Sequence, residues 1–189
     1  MGQPPSALPK CTGAMMRGAA HHPDCFMATH VISEADFRQP ILRKKSVTVR
    51  SQGTMRAEID AGPFGRFVTD EPVEHGGSGE GPSPLQAVLG AMCGCETVTF
   101  RRTADDMNFQ YSGIEFEGSF TIDIRGRMGM REVRPHFQTI KVQAVVSTGE
   151  SETRLREVVE ETEKRCPVFN LIKDAGVNLE VLWVRKAPQ

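Results

Sequence analysis

The stretch Gly76–Phe100, GGSGEGPSPLQAVLGAMCGCETVTF, decides how the rest of the chain is read. Its first nine residues, Gly76–Pro84, hold four glycines and two prolines, which excludes regular structure. The sixteen residues from Leu85 to Phe100 contain no proline and a single charge, Glu96. A loop therefore hands over to a buried helix. Ser83 is the expected N-cap, and Pro82 or Pro84 suits the first turn, where a missing N–H costs nothing. Leu85, Val88, Met92, Cys95 and Thr99 recur at helical spacing and form the face expected to meet the core. Cys93 and Cys95 lie in the middle of this helix.

A chain of 189 residues can build one domain with a proper core. With 39% hydrophobic and 25% charged residues and a net charge of −1, its composition gives no electrostatic case for binding nucleic acid or a membrane surface. No apolar run approaches the roughly 20 residues that span a bilayer. Five cysteines, Cys11, Cys25, Cys93, Cys95 and Cys166, make an odd and irregular set that does not read as a secreted disulfide framework. A reducing, cytoplasmic setting is expected, with import into an organelle through the N-terminal segment as the other route.

Residues 1–40 differ from the rest: Pro4, Pro5, Pro9, Pro23 and Pro40 punctuate them and no apolar periodicity runs through them. They read as a disordered extension, and residues 41–189 as the single domain. Met1-Gly2 with Ser6 matches a myristoylation pattern in the poor context of Pro4 and Pro5. Lys10 and Arg17 precede the first acidic residue, Asp24, in the manner of a sparse transit peptide. His21, His22 and Cys25 match no standard metal-site spacing.

Beyond the extension the pattern alternates. Val47 and Val49, then Met55, Ala57 and Ile59, flank Ser51-Gln52-Gly53 as a β-hairpin. Phe64 to Thr69 reads as a third strand. After the long helix, which fades near Met107, Ile114, Phe116, Gly118, Phe120, Ile122 and Ile124 alternate along one strand, and Phe137, Ile140, Val142, Ala144 and Val146 answer along another. Between them Gly126–Pro135 reads as a solvated basic loop. Ser151 caps a second helix whose stripe is Leu155, Val158, Val159, Thr162 and Cys166; Pro167 ends or kinks it, and a short apolar helix follows. Val177, Leu179, Val181 and Trp183 close the chain as a strand. The order β-β-β-α-β-β-α-β, with antiparallel strands, is an α+β class.

A thiol facing the core in mid-helix is most often a small hydrophobe. Packing the two helices together can nevertheless bring Cys95 towards Cys166. Cys93 lies about 200° around the helix from Cys95 at 100° per residue, so those two cannot pair. A redox couple, if the chain has one, is Cys95 with Cys166. A peroxide-reducing thiol also needs a nearby cation to lower its pKa, and the helix N-terminus, roughly 15 Å from Cys95, is too far to supply one.

The run GGSGEGPSPLQAVLGAMCGC, followed by Arg165-Cys166-Pro167-Val168, resembles the OsmC/Ohr family of thiol-dependent hydroperoxide reductases, in particular its OsmC-like branch. The resemblance covers about residues 43–186. It implies antiparallel sheets wrapped around two long central helices in an intertwined homodimer, with an active site at the dimer interface. Carried over by position, Cys95, eleven residues after Pro84, is the peroxidatic thiol and Cys166 the resolving one. Arg66, in Gly65-Arg66-Phe67, is the activating arginine. Where peroxide-reducing members carry a glutamate directly after the motif proline, this chain has Leu85 and then Gln86; Glu71 or Glu96 are the candidates to stand in.

The implied activity is reduction of an organic hydroperoxide through a Cys95 sulfenic acid that Cys166 resolves to a disulfide. An external dithiol, lipoyl-type or another thiol, restores both cysteines. No metal, flavin or nucleotide cofactor is expected, and neither nucleic acid nor membrane is an expected partner. The alternative is a non-catalytic dimer of the same fold that binds a hydrophobic small molecule at its interface, with the cysteines as packing.

Overall fold

The computed structural model describes residues 38–188, and the fold is that of the unit beginning at Ser46. The expectations placed on Cys11, Cys25, His21, His22 and the N-terminal targeting patterns lie outside the described residues. Three short strands, β1 (Thr48–Arg50), β2 (Ala57–Asp60) and β3 (Arg66–Thr69), form one antiparallel sheet. A long helix, α1 (Pro84–Asp106), follows. Next come β4 (Gly113–Ile122), the one-turn helix α2 (Ile124–Arg127) and β5 (Phe137–Ser147). Helices α3 (Glu152–Arg165) and α4 (Pro167–Asp174) then lead to β6 (Asn178–Lys186). The basic segment read as a loop thus begins with a helical turn, capped by the Asp123 carboxylate.

The second sheet has the order β4-β5-β6. β4 pairs antiparallel to β5, as expected, but β6 runs parallel to β5. Alternation in β6 identified its buried side and carried no information on direction. Direction is set by the connection: α3 and α4 carry the chain back along the sheet, a crossover that only a parallel pair requires.

The start of α1 is built as its sequence dictates. Ser83 Oγ accepts from the Gln86 N–H at 3.3 Å, and Gln86 Oε1 accepts from the Ser83 N–H at 2.9 Å, closing a capping box with Pro84 in the first turn. The loop before it is tied to the end of β3 by Asp70. This buried carboxylate accepts from the amides of Glu71, Ser78 and Glu80 and from Ser78 Oγ, and these donors hold it at about 2, well below its usual value. Gly77 is obligatory here, because a Cβ would lie 1.8 Å from the Glu71 carbonyl oxygen.

The buried stripe of α1 is Leu89, Met92, Glu96, Phe100, Thr103 and Ala104. It is rotated by about one residue from the expected face, and Val88 is 41% exposed. Leu89 settles over Gly118 of β4, where a Cβ would come within 3.3 Å of it. Along α1 the core divides in two. Leu89 and Met92 join Phe137, Ile140, Val142, Ile172 and Val177. Phe100 and Ala104 join Phe109, Val146, Leu155, Val158 and Val159, with Trp183 stacked on Phe100 at 5.4 Å between ring centroids. No helix among the described residues is long and apolar enough to cross a membrane.

Two outcomes test the loop anchor. Gly77→Ala should cost roughly 2 kcal/mol or more, because backbone and not a flexible side chain must move. Asp70→Asn should lower the Tm at neutral pH. Because the Asp70 pKa is depressed on folding, that deficit should shrink as pH falls from about 3.8 to about 2, as followed by thermal melts across the acid range.

Candidate functional site

Between the two halves of the core α1 presents Cys93, Cys95 and Glu96. The covering element is the junction of α3 and α4, where Cys166 serves both as C-cap of one helix and N-cap of the next. Pro167 has no N–H to offer α3, and Cys166 adopts an extended ψ of 113°, so the chain turns here. Asn170 locks the turn: its Nδ2 donates to the carbonyls of Glu163 and Cys166, each at 2.8 Å. The consequence is a fully buried Cys166 thiol that has the half-buried Cys95 thiol of α1 as an interacting neighbour. Both are free thiols, as is Cys93, and Cys93 and Cys95 are only partly buried.

The electrostatics of this layer are acidic. Burial pushes the Cys166 thiol up to about 11; the contact with Cys95 and the Glu96 carboxyl add to this, while the Phe169 amide works against it. Burial, then Glu96, also raises the Cys93 thiol. Glu96 is 0% exposed, and neither of its carboxyl oxygens has a hydrogen-bond partner. Burial and the nearby Glu163 raise it to about 7. Glu163 of α3 is itself raised by burial, opposed by the indole of Trp183, whose Nε1 donates to it at 3.1 Å.

The other expected site residues lie elsewhere in the chain. Arg66 on β3 turns to the Asp60 and Glu58 carboxylates, at 3.1 and 3.2 Å, with its side chain 60% exposed. Glu71 faces Arg127 at 3.5 Å. It lines a cavity of about 250 Å³ together with Pro84, Leu85, Ile122, Asp123, Arg127 and Pro135. Glu71 therefore reaches the neighbourhood of Leu85, the position of the family glutamate, whereas Gln86 is occupied by the capping box. The thiols meet each other; Arg66 and Glu71 do not meet them within one chain.

Glu163 and Trp183 have no place in the site as read from sequence, and Glu96 enters there only as a candidate to stand in for the family glutamate, not as a buried carboxyl. The available signal was Glu96 itself, a lone charge within sixteen residues otherwise without one. A carboxyl raised on folding binds its proton more tightly in the native state, so it begins to subtract stability above its unfolded pKa. The loss grows from about pH 4.5 and is complete above about 7. Glu96→Gln should remove a penalty on the order of 2 kcal/mol at pH 8 and nothing at pH 4, read as a Tm difference that opens with rising pH.

The model of the OsmC-like protein family matches residues 77–181. No curated protein matches the chain. Among solved structures, an OsmC-like protein from Mycoplasma pneumoniae is 17% identical, with 78% of this chain and 99% of that one covered at a TM-score of 0.65. An organic hydroperoxide resistance protein OsmC from Legionella pneumophila is also 17% identical, over 78% of this chain and 99% of that one, at a TM-score of 0.55. The organic hydroperoxide resistance protein OhrB of Bacillus subtilis is 21% identical, over 76% and 98%, at 0.51. At these identities the structures speak for the fold, and the α+β architecture is theirs. With the family model spanning more than half of its length, the chain belongs to the OsmC-like protein family.

Proposed function

We propose that the chain is a thiol-dependent peroxidase acting on organic hydroperoxides. The observation that carries this reading is the contact between the half-buried Cys95 thiol and the fully buried Cys166 thiol. Two thiols that are near neighbours on packed helices are placed to form a disulfide. In the first step the Cys95 thiolate attacks the distal oxygen of the peroxide; the O–O bond breaks, alcohol leaves after protonation, and Cys95 becomes a sulfenic acid. In the second, Cys166 displaces the sulfenic hydroxyl as water and a disulfide forms. An external dithiol then reduces it.

The apolar residues on both sides of the thiol layer favour an organic peroxide over hydrogen peroxide. Arg66 is the proposed activator of Cys95; in a single chain it pairs with Asp60 and Glu58, and the proposal has it delivered from a second copy in a homodimer. Its present ion pairs are exposed and worth little, so they do not hold it back. Glu71 is the proposed carboxylate partner for that arginine. That solved relatives of this fold are named for organic hydroperoxide resistance supports the same chemistry.

Stoichiometric cumene hydroperoxide followed by mass spectrometry tests the reading. The expected product is a Cys95–Cys166 disulfide, abolished by Cys95→Ser; Cys166→Ser should leave a Cys95 sulfenic acid that dimedone traps. Arg66→Ala should slow formation of the sulfenic acid by about tenfold or more, through loss of the cation proposed to hold the thiolate and the peroxide. Should both thiols stay reduced while surface thiols oxidise, the non-catalytic, ligand-binding dimer is the correct reading.

A further inference from the structure

Glu96 is a carboxyl that packing alone does not explain. It is fully buried at the centre of α1, both its oxygens lack a partner, and the residue before it is one of the two thiols in contact. It follows Cys95 directly on α1 and its charge raises the Cys166 and Cys93 thiols, while neither thiol donates to it in the reduced protein, so both oxygens are free to accept a proton. Across from it stand Cys166 at the α3–α4 junction and Glu163 on α3, the latter held by Trp183 of β6. Cys166 is sealed from solvent and cannot give its proton to bulk water. We propose that Glu96 is the base that takes the Cys166 proton as the disulfide forms, an inference that rests on the Cys95–Cys166 pairing of the proposed function.

The step balances within the layer. Cys166 sulfur attacks the sulfenic sulfur of Cys95 as its proton passes to the Glu96 carboxylate; the S–S bond forms and the S–O bond breaks. The departing hydroxide takes that proton from Glu96 and leaves as water. One sulfur is oxidised and the other reduced, the peroxide having supplied the oxidising equivalent. A carboxylate and a thiolate side by side in an apolar core would repel each other. Moving the proton from one to the other keeps a single negative charge in the layer throughout. Ionising Cys166 ahead of the attack would set a second negative charge beside Glu96 in a buried layer, so proton transfer accompanies S–S formation in this proposal.

The full chain carrying Cys11→Ser, Cys25→Ser and Cys93→Ser, so that Cys95 and Cys166 are its only thiols, is treated with one equivalent of DTNB. The accessible Cys95 forms the mixed disulfide, and attack by Cys166 expels thionitrobenzoate, read by its absorbance without any peroxide. With Glu96 present the release rate should rise as the carboxyl ionises near pH 7. Glu96→Gln should slow release about tenfold or more at neutral pH and abolish that rise. Glu96→Asp should restore part of the rate together with the pH dependence, and it serves alone should the glutamine variant fail to fold.

Were Glu96 only a negative charge beside Cys166, its removal would ease ionisation of the thiol and make release faster. That result, or a rate within about twofold of the parent, overturns the proposal. The two readings fail separately. Normal thionitrobenzoate release with no oxidation of Cys95 by cumene hydroperoxide sinks the peroxidase and leaves Glu96 in its role. A peroxide-driven disulfide that forms equally fast in Glu96→Gln does the reverse.

Discussion

The turn at Cys166-Pro167, seated over the middle of α1, is the constraint on which the rest of the structure depends. Proline breaks the helical ladder, and Asn170 gathers the carbonyls that the break leaves free. Helix α3 then covers the C-terminal half of α1 and α4 covers the N-terminal half, each completing its own apolar cluster. What remains between the clusters is a thin layer of sulfur and carboxyl. A straight helix in place of α3 and α4 would leave one end of α1 uncovered and would carry Cys166 past Cys95. The same turn feeds β6 back alongside β5, so it also sets the parallel pair in the second sheet.

Charge is distributed unevenly around that layer. The long helix carries no acidic residue in its first turn and is capped by neutral Ser83 and Gln86. Its middle holds Glu96, and α3 adds Glu163, whereas the arginines lie at the periphery in exposed ion pairs. The carboxyls of such a place oppose formation of a thiolate. The proposed chemistry therefore leans on a second protomer for the first step, the attack on peroxide, and on the chain's own carboxyl for the second.

Much of the architecture was legible in the sequence because it follows from local rules. Ser83 and Pro84 announced the start of α1, Ser151 that of α3, and Pro167 the turn between α3 and α4. Strict alternation from Ile114 to Ile122 and from Phe137 to Val146 marked two strands that pair in register until a shift at Thr121 and Ile122. Spacing also put Cys95 on α1 and Cys166 at the end of α3, two elements that share an apolar cluster. The side of α1 that is buried was not. Periodicity treats a charge as a sign of solvent, and Glu96 lies on the opposite kind of surface. Its environment is made by Glu163 and Trp183, which come from α3 and β6 and have no local signature linking them to α1. Nor could the direction of β6 be read from alternation alone.

The chain has a single tryptophan, and its position gives that residue a second use. Trp183 is stacked on Phe100 of the long helix, edge-on to Phe116, and its indole N–H is bound to Glu163, whose charge acts on Glu96. Indole emission is quenched or shifted by a neighbouring carboxyl changing its ionisation and by a sulfur changing its oxidation state. The molecule therefore carries a native optical gauge beside the long helix, bonded to the carboxyl whose charge acts on Glu96.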